Sequence, residues 1–129
     1  MDSNLVEIAT HEDIGYRSLI FFEGWRVAIL NDDPEAARMD KIRFFERHME
    51  TDEVFVLLSG ECTLLIGGSD NKPGKIELVQ MEMNKIYNVR KAVWHNAVGS
   101  EGFSVLIVEN ATTSKQNTEY YSISLEDQK

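Results

Sequence analysis

Apolar residues in this chain come in short runs, separated by turn-forming clusters, with no long stretch repeating near every 3.6 residues. Runs rich in β-branched and aromatic residues lie at 17-RSLIFF-22, 25-WRVAIL-30, 42-IRFFERH-48, 53-EVFVLLS-59, 61-ECTLLIG-67, 76-IELVQM-81, 86-IYNVR-90, 94-WHNAV-98, 103-FSVLIVE-109 and 120-YYSISL-125. Between them stand Glu23-Gly24, Ser59-Gly60, 67-GGSDNKPG-74 and 99-GSEG-102, whose glycines and short polar side chains suit tight turns. The segment 31-NDDPEAARMD-40 offers one helical turn, with Asp33 as its cap and Pro34 at its first position. Many short strands at even spacing, with almost no helix, predict an all-β sandwich or barrel. The runs at 53–58 and 103–108 are apolar at nearly every position, which predicts cover on both faces, from a second layer or a second subunit.

Polar residues interrupt this pattern at one place. In 42-IRFFERH-48 the two-residue period puts Ile42, Phe44, Glu46 and His48 on one face, and Arg43, Phe45 and Arg47 on the other. If the apolar start points inward, Glu46 and His48 follow it; period alone equally allows a strand whose far end emerges into solvent. Glu53 shares parity with Phe55 and Leu57, and His95 follows Trp94 in another run. Two carboxylates and two imidazoles converging in a barrel would force one carboxylate to keep its proton. A divalent cation removes the conflict, since two carboxylates, two neutral imidazoles and M²⁺ sum to zero. Mixed nitrogen and oxygen donors suit Zn, Mn, Fe or Ni better than Ca.

Bulk properties narrow the setting. The 129 residues predict a single domain, 1–129, large enough for one core. Twenty-two acidic residues against 13 basic give a net charge of −9, without a basic stripe, which argues against nucleic-acid binding. No stretch of about 18 apolar residues offers a membrane span. The acidic start MDSNLVEIATHEDIGYRSLI does not read as a signal peptide, and the one cysteine, Cys62, fits a reducing compartment. The cytoplasm is the expected location.

These residues resemble the cupin superfamily. Its first motif runs from a glycine through His-x-His, three or four residues, Glu, six residues and Gly. Here Glu53, six residues and Gly60 keep the spacing, four residues separate His48 from Glu53, and Glu46 occupies the place of the first histidine. The second motif, Pro-x-Gly-x-x-His, aligns with 90-RKAVWH-95, where Arg90 replaces the proline, Ala92 the glycine, and His95 keeps the histidine. The resemblance covers roughly residues 25–110. It implies a double-stranded β-helix, or jelly-roll, barrel with an interior metal held by Glu46, His48, Glu53 and His95. It also implies a small-molecule ligand, a homodimer through a sheet face, and a metal-dependent isomerase, lyase or dioxygenase. A non-catalytic metabolite-binding barrel and a structural barrel with a vestigial site are the competing classes.

Other residues add less. Arg90 and Lys91 near the expected barrel mouth, with Trp94, Trp25 and Tyr87, are candidates for contacting a ligand, against solvation or packing as the plainer roles. His11, in an acidic segment, reads as a surface histidine. Cys62 shares parity with Leu64 and Ile66 and reads as buried rather than reactive. Tyr121, Ile123 and Leu125 alternate as a last strand that docks on the barrel or a partner.

Overall fold

The computed structural model describes residues 5–123. Ten strands form: β1 (Gly15–Phe22), β2 (Trp25–Asn31), β3 (Phe44–His48), β4 (Glu53–Ser59), β5 (Cys62–Ile66), β6 (Glu77–Gln80), β7 (Tyr87–Val89), β8 (His95–Gly99), β9 (Ser104–Asn110) and β10 (Thr118–Ser122). They pair antiparallel in two five-stranded sheets, ordered β1-β2-β9-β4-β7 and β10-β3-β8-β5-β6. Without the edge strands β1 and β10, the arrangement is β2-β9-β4-β7 against β3-β8-β5-β6, the interleaved order of a jelly roll. Among the described residues no helix is long and apolar enough to cross a membrane.

The core sits between the sheets and follows the two-residue period. Phe55 and Leu57 of β4, Val105 and Ile107 of β9, and Leu64 of β5 meet there with Phe103, all buried. Each such side chain contributes about 1.5–3 kcal/mol relative to exposure. Cys62 packs in the same cluster, and burial pushes its thiol up to about 12. Gly60 closes the β4–β5 turn at φ +73°, and a Cβ there would lie 2.7 Å from Phe103 Cα. A glycine is required on both counts.

A second apolar cluster lies outside the β3-β8-β5 sheet, where Ile42, Phe45, Leu65 and Trp94 pack with Ile76, Val98 and Ile123. It corrects the expectation for β3. The strand begins at Phe44, and Ile42 closes the preceding turn with its amide on the Arg38 carbonyl. Ile42 therefore packs with Phe45, and Phe44 is 38% exposed against the Tyr120 ring. Both faces of β3 are nevertheless occupied. Phe45 and Arg47 face the outer cluster, where Arg47 stacks 4.4 Å over the Trp94 ring and pairs with Glu119.

Cover on both faces of β4 and β9 is incomplete. Their inner residues are buried, but Val54, Val56, Leu106 and Val108 remain partly exposed. Register sets them in rows with β2, Val27–Val108–Val54 and Ile29–Leu106–Val56, an apolar grid on the outside of the sheet. Asp33 caps one turn as expected: its side chain accepts from the Glu35 amide and its carbonyl from Ala37. The last strand docks on β3, with Tyr121 against Trp94 and Ile123 in the outer cluster; Leu125 lies outside the described residues.

Candidate metal centre

Three strands deliver the predicted polar residues to one place. β3 brings Glu46 and His48, β8 pairs with it at Glu46–His95, and β4 of the facing sheet supplies Glu53 at its first position. They line a cavity of about 410 Å³ between the sheets, shared with Tyr16, Arg26, Glu109 and Tyr120. Phe55 and Ile107 form its apolar floor, continuous with the core.

Glu53 Oε1 is the hub. His48 Nε2 lies 3.0 Å from it and His95 Nε2 2.9 Å. Glu46 Oε1 stands 3.8 Å from His48 Nε2 and 3.9 Å from His95 Nε2. The far nitrogen of each ring is held from behind: His95 Nδ1 donates to the Val93 carbonyl at 2.9 Å, and His48 Nδ1 lies 2.9 Å from Thr118 Oγ1. A carbonyl only accepts, so the His95 proton sits on Nδ1 and its neutral ring would turn a lone pair on Glu53. Two lone pairs do not hold 2.9 Å apart, so a proton on the ring, a proton on Glu53, or a cation lies between them.

The electrostatics describe the first of these states. Burial opposes charge on His95, but the hydrogen bond and charge of Glu53 outweigh it and raise the imidazolium to about 9. His48 is raised by the same balance, burial again opposing. Glu53, nearly engulfed, is pushed up by burial and brought down further by the two histidines, ending below its ordinary value. Burial lifts Glu46 above the usual carboxylate range.

The donor set fits a transition metal. Glu46, His48 and His95 present one donor atom each within 4.8 Å of one another, as do His48, Glu53 and Glu109. Imidazole held by a second polar group at Nδ1 is the usual arrangement behind metal-ligating histidines.

Glu109 escaped the sequence reading. The run 103–108 is apolar at nearly every position and Glu109 ends it, yet Phe103, Val105, Ile107 and Glu109 share one parity, and all four are buried. That parity was the available signal. Tyr16 and Arg26 also face the cavity, both donating to Glu109 Oε1, at 2.7 and 2.8 Å. They are 93 and 83 residues away in the chain, and nothing local marks them.

The three candidate ligand contacts are placed elsewhere. Tyr87, registered beside Phe55 and packed against the core, lines a separate cavity, its hydroxyl accepting from the Glu82 amide. Arg90 is exposed beside it. Trp94, 2% exposed, points out of the cavity into the outer cluster and donates from its indole to the Asp70 carbonyl. The strand parity that turns His95 inward turns Trp94 outward. His11 donates to the Gly15 carbonyl, away from the cavity. Trp25 is exposed against Phe22.

No family model and no curated protein sequence matches the chain. Solved structures do. A cupin-2 domain protein from Shewanella frigidimarina aligns at 16% identity over 78% of this chain and 84% of its own, TM-score 0.55. QdtA 3,4-ketoisomerase from Thermoanaerobacterium thermosaccharolyticum, solved with TDP, aligns at 13% identity over 82% and 83%, TM-score 0.59. PAC13 from Streptomyces, solved with uridine, aligns at 9% identity over 91% and 87%, TM-score 0.60. The fold is a cupin fold.

In that cupin framework the turn before β8 accounts for the second motif. Ala92, at the place of the motif glycine, has φ +67° and donates its amide to the His48 carbonyl at 2.7 Å. The left-handed turn ties β3 to β8 beside the two histidines, and alanine bears it at a steric cost.

Proposed function

We propose that this cupin barrel binds a small polar molecule, such as a sugar or organic acid, through a divalent transition metal held by Glu46, His48, Glu53 and His95. The observation that carries the reading is the convergence of two imidazole Nε2 atoms on Glu53, each ring locked from behind, with Glu46 beside them. Zn, Mn, Fe or Ni suits the mixed donors. When bound, such an ion supplies a Lewis-acid or oxygen-activating centre, as isomerase, lyase or dioxygenase chemistry requires.

The chain's own residues do the rest. Val93 and Thr118 orient the two rings. Phe55 and Ile107 exclude water from the floor, and Tyr16 and Tyr120 border the entrance with hydroxyls suited to a polar ligand. The outer grid of Val27, Ile29, Val54, Val56, Leu106 and Val108 is the face we assign to a second copy in a homodimer. The buried free thiol of Cys62 fits a reducing, cytoplasmic setting.

A metal-free ligand pocket is the second reading, favoured by the way His48, Glu53 and His95 satisfy one another once the rings are protonated. Elemental mass spectrometry on protein purified without chelator or nickel resin separates the two. About one equivalent of metal in the parent, lost in a His48→Ala/His95→Ala variant, is the expected result. No uptake after reconstitution with each of the four metals overturns the metal reading.

A further inference from the structure

Arg26, Glu109 and Glu53 form a row across β2, β9 and β4. Arg26 is registered opposite Glu109, and Glu109 stands one step beyond the Val108–Val54 pair, facing Glu53. Two carboxylates side by side on one buried face repel. The row is only half compensated. Tyr16 and Arg26 both donate to Oε1 of Glu109, whereas Oε2 is buried with no hydrogen-bond partner and lies 3.8 Å from His48 Nε2. Glu109 is 5% exposed, so water does not serve that oxygen freely. One carboxylate oxygen of Glu109 lies within 4.8 Å of one donor atom each from His48 and Glu53.

We propose that Glu109 is a fifth protein ligand of the metal, supplied through Oε2 by the strand next to Glu53. The proposal rests on the metal reading above. Its charge balance closes: three carboxylates and two neutral imidazoles around M²⁺ leave one negative charge, which Arg26 neutralises at 2.8 Å. Tyr16 and Arg26 act as positioning residues, holding Oε1 so that the other oxygen stays aimed, as outer partners of ligating carboxylates do. Three carboxylate donors shift the site toward harder ions such as Mn and Fe.

The test is equilibrium titration of the metal-free protein with Mn²⁺, and with Co²⁺ for its visible absorption. Glu109→Gln keeps an oxygen for Tyr16 and Arg26 and puts a non-ligating amide nitrogen in place of Oε2. Glu109→Asp keeps the charge and withdraws the donor by one methylene. Both variants are expected to bind Mn²⁺ at least about tenfold more weakly and to change the Co²⁺ spectrum. Stoichiometric binding by the parent with an unchanged constant and spectrum in Glu109→Gln overturns the proposal and leaves the four-residue site standing. Parental affinity and spectrum in Glu109→Asp overturn it too, since charge without ligation would then suffice. A parent that takes up neither ion overturns this proposal, and the metal reading falls with it when Zn²⁺, Fe²⁺ and Ni²⁺ also fail to bind.

Discussion

His95 Nε2 lies 2.9 Å from Glu53 Oε1 while the opposite nitrogen of the same ring donates to the Val93 carbonyl. The backbone thus fixes where one proton sits, and whatever occupies the cavity decides the fate of the other. Metal binding needs that second proton gone, because a ligating imidazole is neutral.

Stability should therefore fall with rising pH in the metal-free protein and not in the metal-loaded one. Without metal, the raised His95 contributes stability that is fully present below about 6.5 and is lost as pH climbs to about 9. That shift corresponds to on the order of 3 kcal/mol. His48 acts in the same direction, and Glu46 and Glu109, raised by burial, also cost stability as they ionise. Glu53, lowered, contributes above the ordinary carboxylate range and loses that contribution as acid protonates it. The chelated protein should be most stable in mild acid and weaken steadily toward pH 9. With Mn²⁺ or Zn²⁺ the added stabilisation should grow over the same interval. Thermal unfolding between pH 4 and 9 with and without chelator checks this; parallel curves would exclude a cation at these histidines.

Two turn residues should respond oppositely to exchange of glycine and alanine. Ala92→Gly relieves a left-handed alanine, worth about 1–2 kcal/mol, against the greater freedom of glycine in the unfolded chain. A net gain of about 0.5–1 kcal/mol is expected. Gly60→Ala introduces both a strained φ and a clash with the Phe103 backbone, and should cost about 2–4 kcal/mol. Urea unfolding of the two variants beside the parent measures both; a destabilised Ala92→Gly would contradict the account of that turn.

The apolar grid outside the first sheet should be an interface between copies. Val108→Lys places a charge between Val27 and Val54 without entering the core. Light scattering at micromolar concentration should give a dimer for the parent and a monomer for the variant, each with the same circular dichroism. A monomeric parent would remove the homodimer.

The strand pattern was legible because each element is short, bounded by turn residues and buried on one face. All ten runs hold a strand among the described residues. Local alternation failed at Ile42, since a turn preceding β3 resets the phase there.

The chain alone determined the all-β sandwich-or-barrel class, through two-residue periodicity and turn chemistry, and the spacing of His48, Glu53, Gly60 and His95, whose resemblance to the cupin motifs implied the jelly roll. These are local quantities, set by the pleat and by which residues tolerate a turn. Strand parity already marked Glu109 as inward and Trp94 as outward, but tertiary structure alone decided that Tyr87 and Arg90 lie away from the cavity while Tyr16 and Arg26 enter it. That outcome depends on which strands become neighbours, and β2, β9 and β4 meet across most of the chain's length. The cross-strand pairing that puts Arg26 beside Glu109, and Glu109 beside Glu53, has no signature in the order of the residues themselves, because only burial in a shared interior makes those distant charges answer to one another.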